Sequence, residues 1–201
     1  HSLGCMHLAG EMFRHGFLNA TEDHRSRFLR SFHGVLKNIE QTDDYAHDIA
    51  HVSGADSRAL GLLFKPISEP VLLANVPPML GPSNSYLFAL AFQTVRLAGL
   101  LHDVGHPPFS HVIERPLDRL YEEVRTKPKK TTREKVFVRI MDAYQGAEFH
   151  EVLGVWLADR LLGDAISRLD HSQDEAPRHV AAIRLKHLIA ALFDKSDRKP
   201  P

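Results

Sequence analysis

A helix that runs directly into a histidine-rich turn is the feature that most restricts the fold of this chain. Apolar residues in the range 87–101 recur at spacings of three and four, which is the pattern of a helix with a buried face. The pattern predicts that His102 and Asp103 lie in the last turn of this helix, and Gly105 then supplies a helix stop.

A second helix is predicted immediately after this stop. Pro107 and Pro108 disfavour helix before them and suit a first helical turn, so the helix is expected to start there and to run through Arg115. Within it, His111 and Glu114 are three residues apart and share one face. The segment is therefore expected to fold as helix, sharp turn, helix, with polar groups gathered at the corner.

The remainder of the chain also favours an all-α fold. Helical spacing recurs in the ranges 2–18, 136–144, 150–162 and 179–193, and Thr21 is expected to cap a further helix. No stretch shows the alternation of a β-strand. A chain of 201 residues with 43% apolar content can bury one core, so we expect a single helical domain over residues 1–201.

Three segments lack a clear helical pattern. Range 43–57 is polar and ambiguous, and range 65–83 contains five prolines, which favour an ordered loop or short turns. Range 125–135 carries six lysines and arginines around Pro128. A solvated loop is the expected role of this basic stretch, and contact with phosphate or nucleic acid is the alternative.

The composition says more about the cellular compartment of the protein than about its binding partner. The 25 basic and 25 acidic residues balance, so net charge supports neither a nucleic acid nor a membrane surface as partner. The single cysteine, Cys5, excludes an internal disulfide framework and suits a reducing compartment. We expect a soluble cytoplasmic chain without a signal peptide or a contact with the membrane.

Fourteen histidines are many for this length, and most have no motif around them. Solvated or hydrogen-bonded surface histidine is the expected role for nine of them. These nine are His7, His15, His24, His33, His47, His51, His171, His179 and His187.

The turn itself has the chemistry of a hydrolytic metal site. Imidazoles at His102, His106 and His111 and the carboxylate of Asp103 fall within ten residues, and such sites are built from neutral imidazole nitrogens and carboxylate oxygens. A divalent ion held by such groups would lower the pKa of bound water toward about 7 and polarise a phosphoryl oxygen. Protonated imidazoles beside it can donate to oxygens where negative charge collects.

Three motifs occur in the order expected of one family. They are His1-Ser2-Leu3-Gly4 at the opening of a helix, His102-Asp103 running into the sequence GHPPFSH, and His150-Glu151 at the opening of another helix. This set resembles the HD-domain metal-dependent phosphohydrolases. It is most similar to their deoxynucleoside triphosphate triphosphohydrolase branch, over residues 1 to about 160. The resemblance implies an HD-domain helical bundle.

The resemblance also assigns metal ligands. His1, His102 and Asp103 match the first three ligands of the family, whose fourth is an aspartate in a later segment that reads roughly D-x-D-R-x-D-Y. That segment is absent here, so we expect the domain to be truncated before it. Imidazole with carboxylate suits Mn, Fe, Zn, Ni or Co about equally well, and Mg is a further possibility.

The remaining matched residues surround the substrate in the family. Their positions are His106, His111, Glu114 and His150. The resemblance implies that His111 binds substrate at the α-phosphate and that His106 and Glu114 belong to the catalytic pocket. His150 is the candidate for general acid–base work, oriented by Glu114.

The function that follows is cleavage of a deoxynucleoside triphosphate to the deoxynucleoside and tripolyphosphate, by a homo-oligomer. An HD-type phosphoesterase or nucleotidase acting on a nucleoside monophosphate is the alternative enzyme, because the superfamily shares its ligands across several chemistries. A non-catalytic scaffold that binds nucleotide or nucleic acid is the alternative from a different class. The basic stretch and the missing fourth ligand support it.

Overall fold

The computed structural model describes residues 1–53, 75–106, 111–142, 149–169 and 176–193, and every regular element within them is an α-helix. The all-α prediction is therefore confirmed. The helices of this described part are α1 (Ser2–Asn19), α2 (Glu22–Glu40), α3 (Asp43–Ser53), α4 (Pro82–Leu101), α5 (His111–Thr126), α6 (Thr132–Asp142), α7 (Phe149–Ser167) and α8 (Ala176–Phe193).

Helix boundaries differ from the predicted ones in three places. The range 43–57, whose pattern was ambiguous, contains helix α3. Residues 75–81, which are the part of the proline-rich range that the structure describes before α4, are non-helical as expected. Helix α4 ends at Leu101, so His102 and Asp103 lie in the turn after it and not in its last turn. Helix α5 continues eleven residues past Arg115 to Thr126, with Pro116 inside its first turns.

Two compact units make up the chain. Residues 1–100 together with 161–201 form the first unit, and residues 101–160 form the second. The prediction of one domain over residues 1–201 stays a prediction. No helix in the described ranges has both the length and the apolar content needed to cross a membrane.

Helix α4 is buried on two opposite sides within the first unit. Phe88 and Phe92, one turn apart, pack against Phe17 of α1 and Leu29 of α2. The rings of Phe17 and Phe88 lie 4.7 Å apart between centroids, in an edge-on arrangement. Leu90, on the other side of α4, packs into a second cluster. Its other buried members are Leu36, Ile39, Tyr45, Ile49, Ile183 and Leu188, from α2, α3 and α8.

Glycine permits a close approach of α1 and α4. A methyl group at Gly99 would lie 3.0 Å from the Cys5 carbonyl oxygen and 3.0 Å from the Ala9 Cβ. Because one of these atoms belongs to the backbone of α1, it cannot move aside as a flexible side chain would. The last turn of α4 is therefore held against the first turns of α1.

A buried arginine joins α8 to α2 and α4. The Arg184 side chain is 2% exposed, and its Nε and Nη2 donate to Glu40 Oε1 at 2.9 and 2.6 Å. Its Nη1 donates to the Tyr86 hydroxyl. Burial by itself lowers the pKa of Arg184, but the neighbouring Tyr86, Tyr45 and Glu40 raise it overall, so the guanidinium stays charged. Removing it would leave the Glu40 carboxylate without its partner in a largely buried site.

Two histidines on α8 differ from the surface role expected of them. His179 is 1% exposed, and the His187 side chain is 13% exposed. His187 Nε2 lies 2.9 Å from Asp48 Oδ2, which also accepts from Lys186 Nζ at 3.0 Å. Burial alone would raise the pKa of Asp48, but these two hydrogen bonds hold it below its usual value. The apolar spacing missed both histidines because α8 is buried around most of its circumference.

Gly99→Ala is expected to destabilise the protein by up to about 2 kcal/mol, because the new methyl group would press on the Cys5 backbone. An overpacking cost of about 1–3 kcal/mol is partly offset by the roughly 1 kcal/mol that alanine normally gains over glycine inside a helix. Gly34→Ala in α2 is the matched control. Nothing lies within 4 Å of its new methyl group, so it should stabilise. Urea unfolding measures both variants, and stabilisation by both would show that the two helices have room to spare.

Arg184→Ala is expected to cost about 3–5 kcal/mol in the free energy of unfolding, because Glu40 loses its buried partner. Arg30→Ala, at an exposed position of α2, serves as the control and should change stability by less than about 0.5 kcal/mol. Thermal and urea unfolding provide the measurement. Equal effects of the two substitutions would contradict a structural role for the buried ion pair.

Candidate metal centre

The turn that follows α4 is fixed by its own backbone hydrogen bonds. The Val104 N–H donates to the Leu101 carbonyl at 3.0 Å, and the His106 N–H donates to the Asp103 carbonyl at 3.1 Å. Leu101 and Gly105 are both buried, so the two ends of the turn are anchored. Histidine and aspartate side chains between them are held on a short, ordered stretch of backbone.

Within the second unit, this turn packs on α7 through two glycines. A methyl group at Gly154 would lie 3.6 Å from the Gly105 nitrogen and 3.7 Å from the Gly105 Cα. The backbones of the turn and of α7 therefore approach each other closely at this point. His150 is four residues before Gly154, one turn earlier in the same helix.

The Asp103 carboxylate lies between two imidazoles. Its Oδ2 is 2.9 Å from His102 Nε2, and its Oδ1 is 3.5 Å from His106 Nε2. The side chain of Asp103 is 34% exposed, that of His102 is 42% exposed and that of His106 is 26% exposed, so solvent and ligands can reach all three. The structure thus brings together three of the residues predicted from the sequence.

This donor set fits a divalent metal. Two imidazole nitrogens and a carboxylate are the ligands that transition metals and zinc take in hydrolytic sites. The carboxylate is placed so that it also orients the imidazoles, a role that carboxylates commonly play beside ligating histidines. His102 and Asp103 are the residues that would hold the ion, as the sequence predicts.

The first predicted ligand, His1, belongs to the first unit. It precedes α1, is exposed, and its carbonyl accepts from the Cys5 N–H at 3.0 Å. Its Nε2 also lies 3.7 Å from Cys5 Sγ. From the sequence, Cys5 was considered only as evidence against an internal disulfide framework. The spacing of four residues on a helix was the signal that could have predicted its side-chain contact with His1.

The other predicted pocket residues lie on the two helices of the second unit. His111 and Glu114 are in the first turn of α5, and His150 is in the first turn of α7, where the sequence analysis expected a helix to open. Their side chains lie outside the described part of the structure, as do residues 107–110 of the turn. Their assigned roles therefore stay predictions.

Three aspartates near the end of the sequence fall outside the described residues as well, namely Asp170, Asp194 and Asp197. None of them lies in the sequence context expected of the family's fourth ligand. The turn itself offers the carboxylate of Asp103 alone among its described side chains, with the two imidazoles beside it.

Comparison with known proteins identifies the family. The family model described as "HD domain" matches residues 86–199, which is more than half of the chain. The matched range includes every predicted site residue except His1. No curated protein and no solved structure matches the chain.

HD domains bind divalent metals and are in general metal-dependent phosphohydrolases. The matched range begins in α4, and it contains the turn in which Asp103 lies between His102 and His106. The arrangement of these side chains and the extent of the match lead to the same conclusion: this chain belongs to the HD domain family.

Proposed function

We propose that the protein hydrolyses deoxynucleoside triphosphates at the α-phosphate, releasing the deoxynucleoside and tripolyphosphate. The observation that carries the proposal is the Asp103 carboxylate held between His102 and His106 in a solvent-accessible turn. The choice of substrate rests on the sequence. His1-Ser2-Leu3-Gly4, His102-Asp103 with GHPPFSH, and His150-Glu151 follow one another as in the triphosphohydrolase branch.

The protein's own groups would have three tasks in this reaction. His102 and Asp103, with His1, would hold a divalent ion, which when bound supplies Lewis-acid polarisation of a phosphoryl oxygen and activates water for attack. His106 and His111 would donate hydrogen bonds to the oxygens of the α-phosphate as negative charge gathers there.

The leaving group also needs a proton. Water attacks the α-phosphorus and the bond to the 5′ oxygen of the sugar breaks, so that oxygen departs as an alkoxide unless it is protonated. His150, oriented by Glu114, is the group proposed to donate this proton. General acid catalysis of this kind contributes about 10²–10⁴-fold to a rate.

Asp103→Asn is expected to lower turnover by more than about 100-fold, because it removes a charged metal ligand and the group that orients two imidazoles. Asp118→Asn, at an exposed position of α5 in the same unit, is the matched control and should leave turnover unchanged. The assay offers each deoxynucleoside triphosphate and monophosphate with manganese or magnesium, and separates tripolyphosphate from orthophosphate.

The products distinguish the proposal from its rivals. Tripolyphosphate that disappears in Asp103→Asn supports the proposal. Orthophosphate from monophosphates alone would contradict the substrate and favour the phosphoesterase alternative. Nucleotide binding without any product would contradict catalysis and favour the non-catalytic scaffold.

His150→Gln is expected to lower kcat by about 10²–10⁴-fold while leaving the dissociation constant for manganese unchanged, because His150 is proposed to move a proton and not to bind metal. 4-Nitrophenyl triphosphate, in which nitrophenolate replaces the 5′ alkoxide as the leaving group and needs no proton, should recover most of the lost rate. Loss of manganese binding in this variant, measured by calorimetry, would contradict the assigned role.

A further inference from the structure

Helices α5 and α6 form a hairpin in the second unit. The rings of Tyr121 and Phe137 meet edge-on with centroids 6.4 Å apart, and the Tyr121 hydroxyl donates to Asp142. Val124 is buried, at 3% exposure. These contacts hold the two helices side by side, joined by residues 127–131. We refer to residues 125–139, which are this connection and the helix turns on either side of it, as the hairpin tip.

The tip is ordered by side chains of its own. Glu134 accepts from the Thr131 N–H at 2.8 Å, from the Lys127 ammonium at 3.0 Å and from the Thr131 hydroxyl at 2.9 Å. Together these hydrogen bonds lower the pKa of Glu134 to about 2. Lys130 Nζ donates to the Lys127 carbonyl at 2.8 Å. The basic stretch predicted as a solvated loop is therefore a helix end, a short fixed connection and a helix start.

Positive charge is concentrated on this tip in a chain whose net charge is zero. Residues 125–139 contain seven lysines and arginines and one glutamate. Arg125 and Lys127 have acidic neighbours on α5, namely Glu122 at 4.0 Å and Glu123 at 3.8 Å. The cations on the other side of the tip are Lys129, Arg133, Lys135 and Arg139, and all four are exposed.

These four cations are arranged on one rigid element. Lys135 and Arg139 are four residues apart on α6 and share a face with the exposed Thr132, while Arg133 lies beside them and Lys129 precedes the helix. Arginine and lysine with neighbouring hydroxyl groups are the donors that bind phosphate oxygens. Because the backbone that carries these side chains is already ordered, binding would cost less entropy than binding to a flexible loop.

We propose that the hairpin tip binds the phosphate backbone of single-stranded nucleic acid. The cations lie on a short connection and the helix that follows it, and a flexible single strand can bend to bring its phosphates to them, whereas a duplex stays nearly straight over about 150 base pairs. From Lys127 to Arg139 the exposed nonpolar side chains are Pro128 and Val136, and neither is one of the large Trp, Phe or Leu anchors with which proteins enter a membrane surface. None of the tip residues is a predicted metal ligand or pocket residue, so the surface does not depend on the proposed hydrolysis.

Charge reversal tests this surface directly. The triple variant Lys129→Glu, Arg133→Glu, Lys135→Glu should keep its fold, because all three positions are exposed and acidic residues suit the first turn of α6. A second triple variant, Arg30→Glu, Lys37→Glu, Arg168→Glu, makes the same change of charge at exposed positions of the first unit and serves as the control. Circular dichroism verifies the helical content of both.

The measurement is the fluorescence anisotropy of a labelled oligothymidine of about 20 nucleotides, titrated with protein at increasing salt. Reversal at the tip should weaken binding by about 100-fold or more and should flatten the slope of log affinity against log salt by about 2, since three phosphate contacts are lost. The control variant should bind within about threefold of the unchanged protein.

Three results would overturn the proposal. The first is no binding of the oligonucleotide by the unchanged protein at low salt. The second is equal weakening by both triple variants, which would show a response to overall charge. The third is preferential binding of phosphatidylserine vesicles or of polyglutamate, which would assign the tip to a membrane surface or to an acidic protein.

Discussion

Burial of α4 on two opposite sides is the constraint on which the packing of the first unit depends. Residues 88–92 of this helix are at most 4% exposed, because Phe88 and Phe92 pack into one apolar cluster and Leu90 into another. A helix held on both sides cannot rotate about its axis without opening a cavity, at a cost of several kcal/mol. The last residue of α4, Leu101, directly precedes His102, so the turn begins where the helix ends.

The turn that follows α4 brings its side chains together through short-range interactions. Asp103 lies between its immediate neighbour His102 and His106 three residues later, and backbone hydrogen bonds close the loop around them. All of these contacts are local in sequence. That is why the motif could predict that these three side chains lie together.

Contacts between residues far apart in the chain could not be predicted from the sequence pattern. Arg184 and Glu40 are 144 residues apart, and nothing in the spacing around either one marks it as half of a buried ion pair. His187 and Asp48 are similar, at 139 residues. The end of α4 was predicted two residues too late, because Gly105 was taken as the helix stop, whereas the backbone leaves the helix after Leu101, the last residue of the apolar pattern.

The structure of the basic hairpin tip also could not be predicted from the sequence pattern. A run of lysines predicts positive charge, but it does not predict whether the backbone that carries the charge is ordered. The order of the tip comes from Glu134, which binds both Thr131 and Lys127 and so connects the start of α6 to the end of α5. One unit thus contains a candidate metal turn and a basic tip, with different chemistry and separate tests.

Anomalous diffraction from a crystal of the protein soaked with manganese would show whether the ion binds at this turn. We expect an anomalous peak at coordinating distance, roughly 2.0–2.2 Å, from an imidazole nitrogen of His102 and a carboxylate oxygen of Asp103. The same peak should be absent from crystals of Asp103→Asn. A peak bound elsewhere, or no peak near His102 and Asp103 at saturating manganese, would contradict a metal centre at this turn.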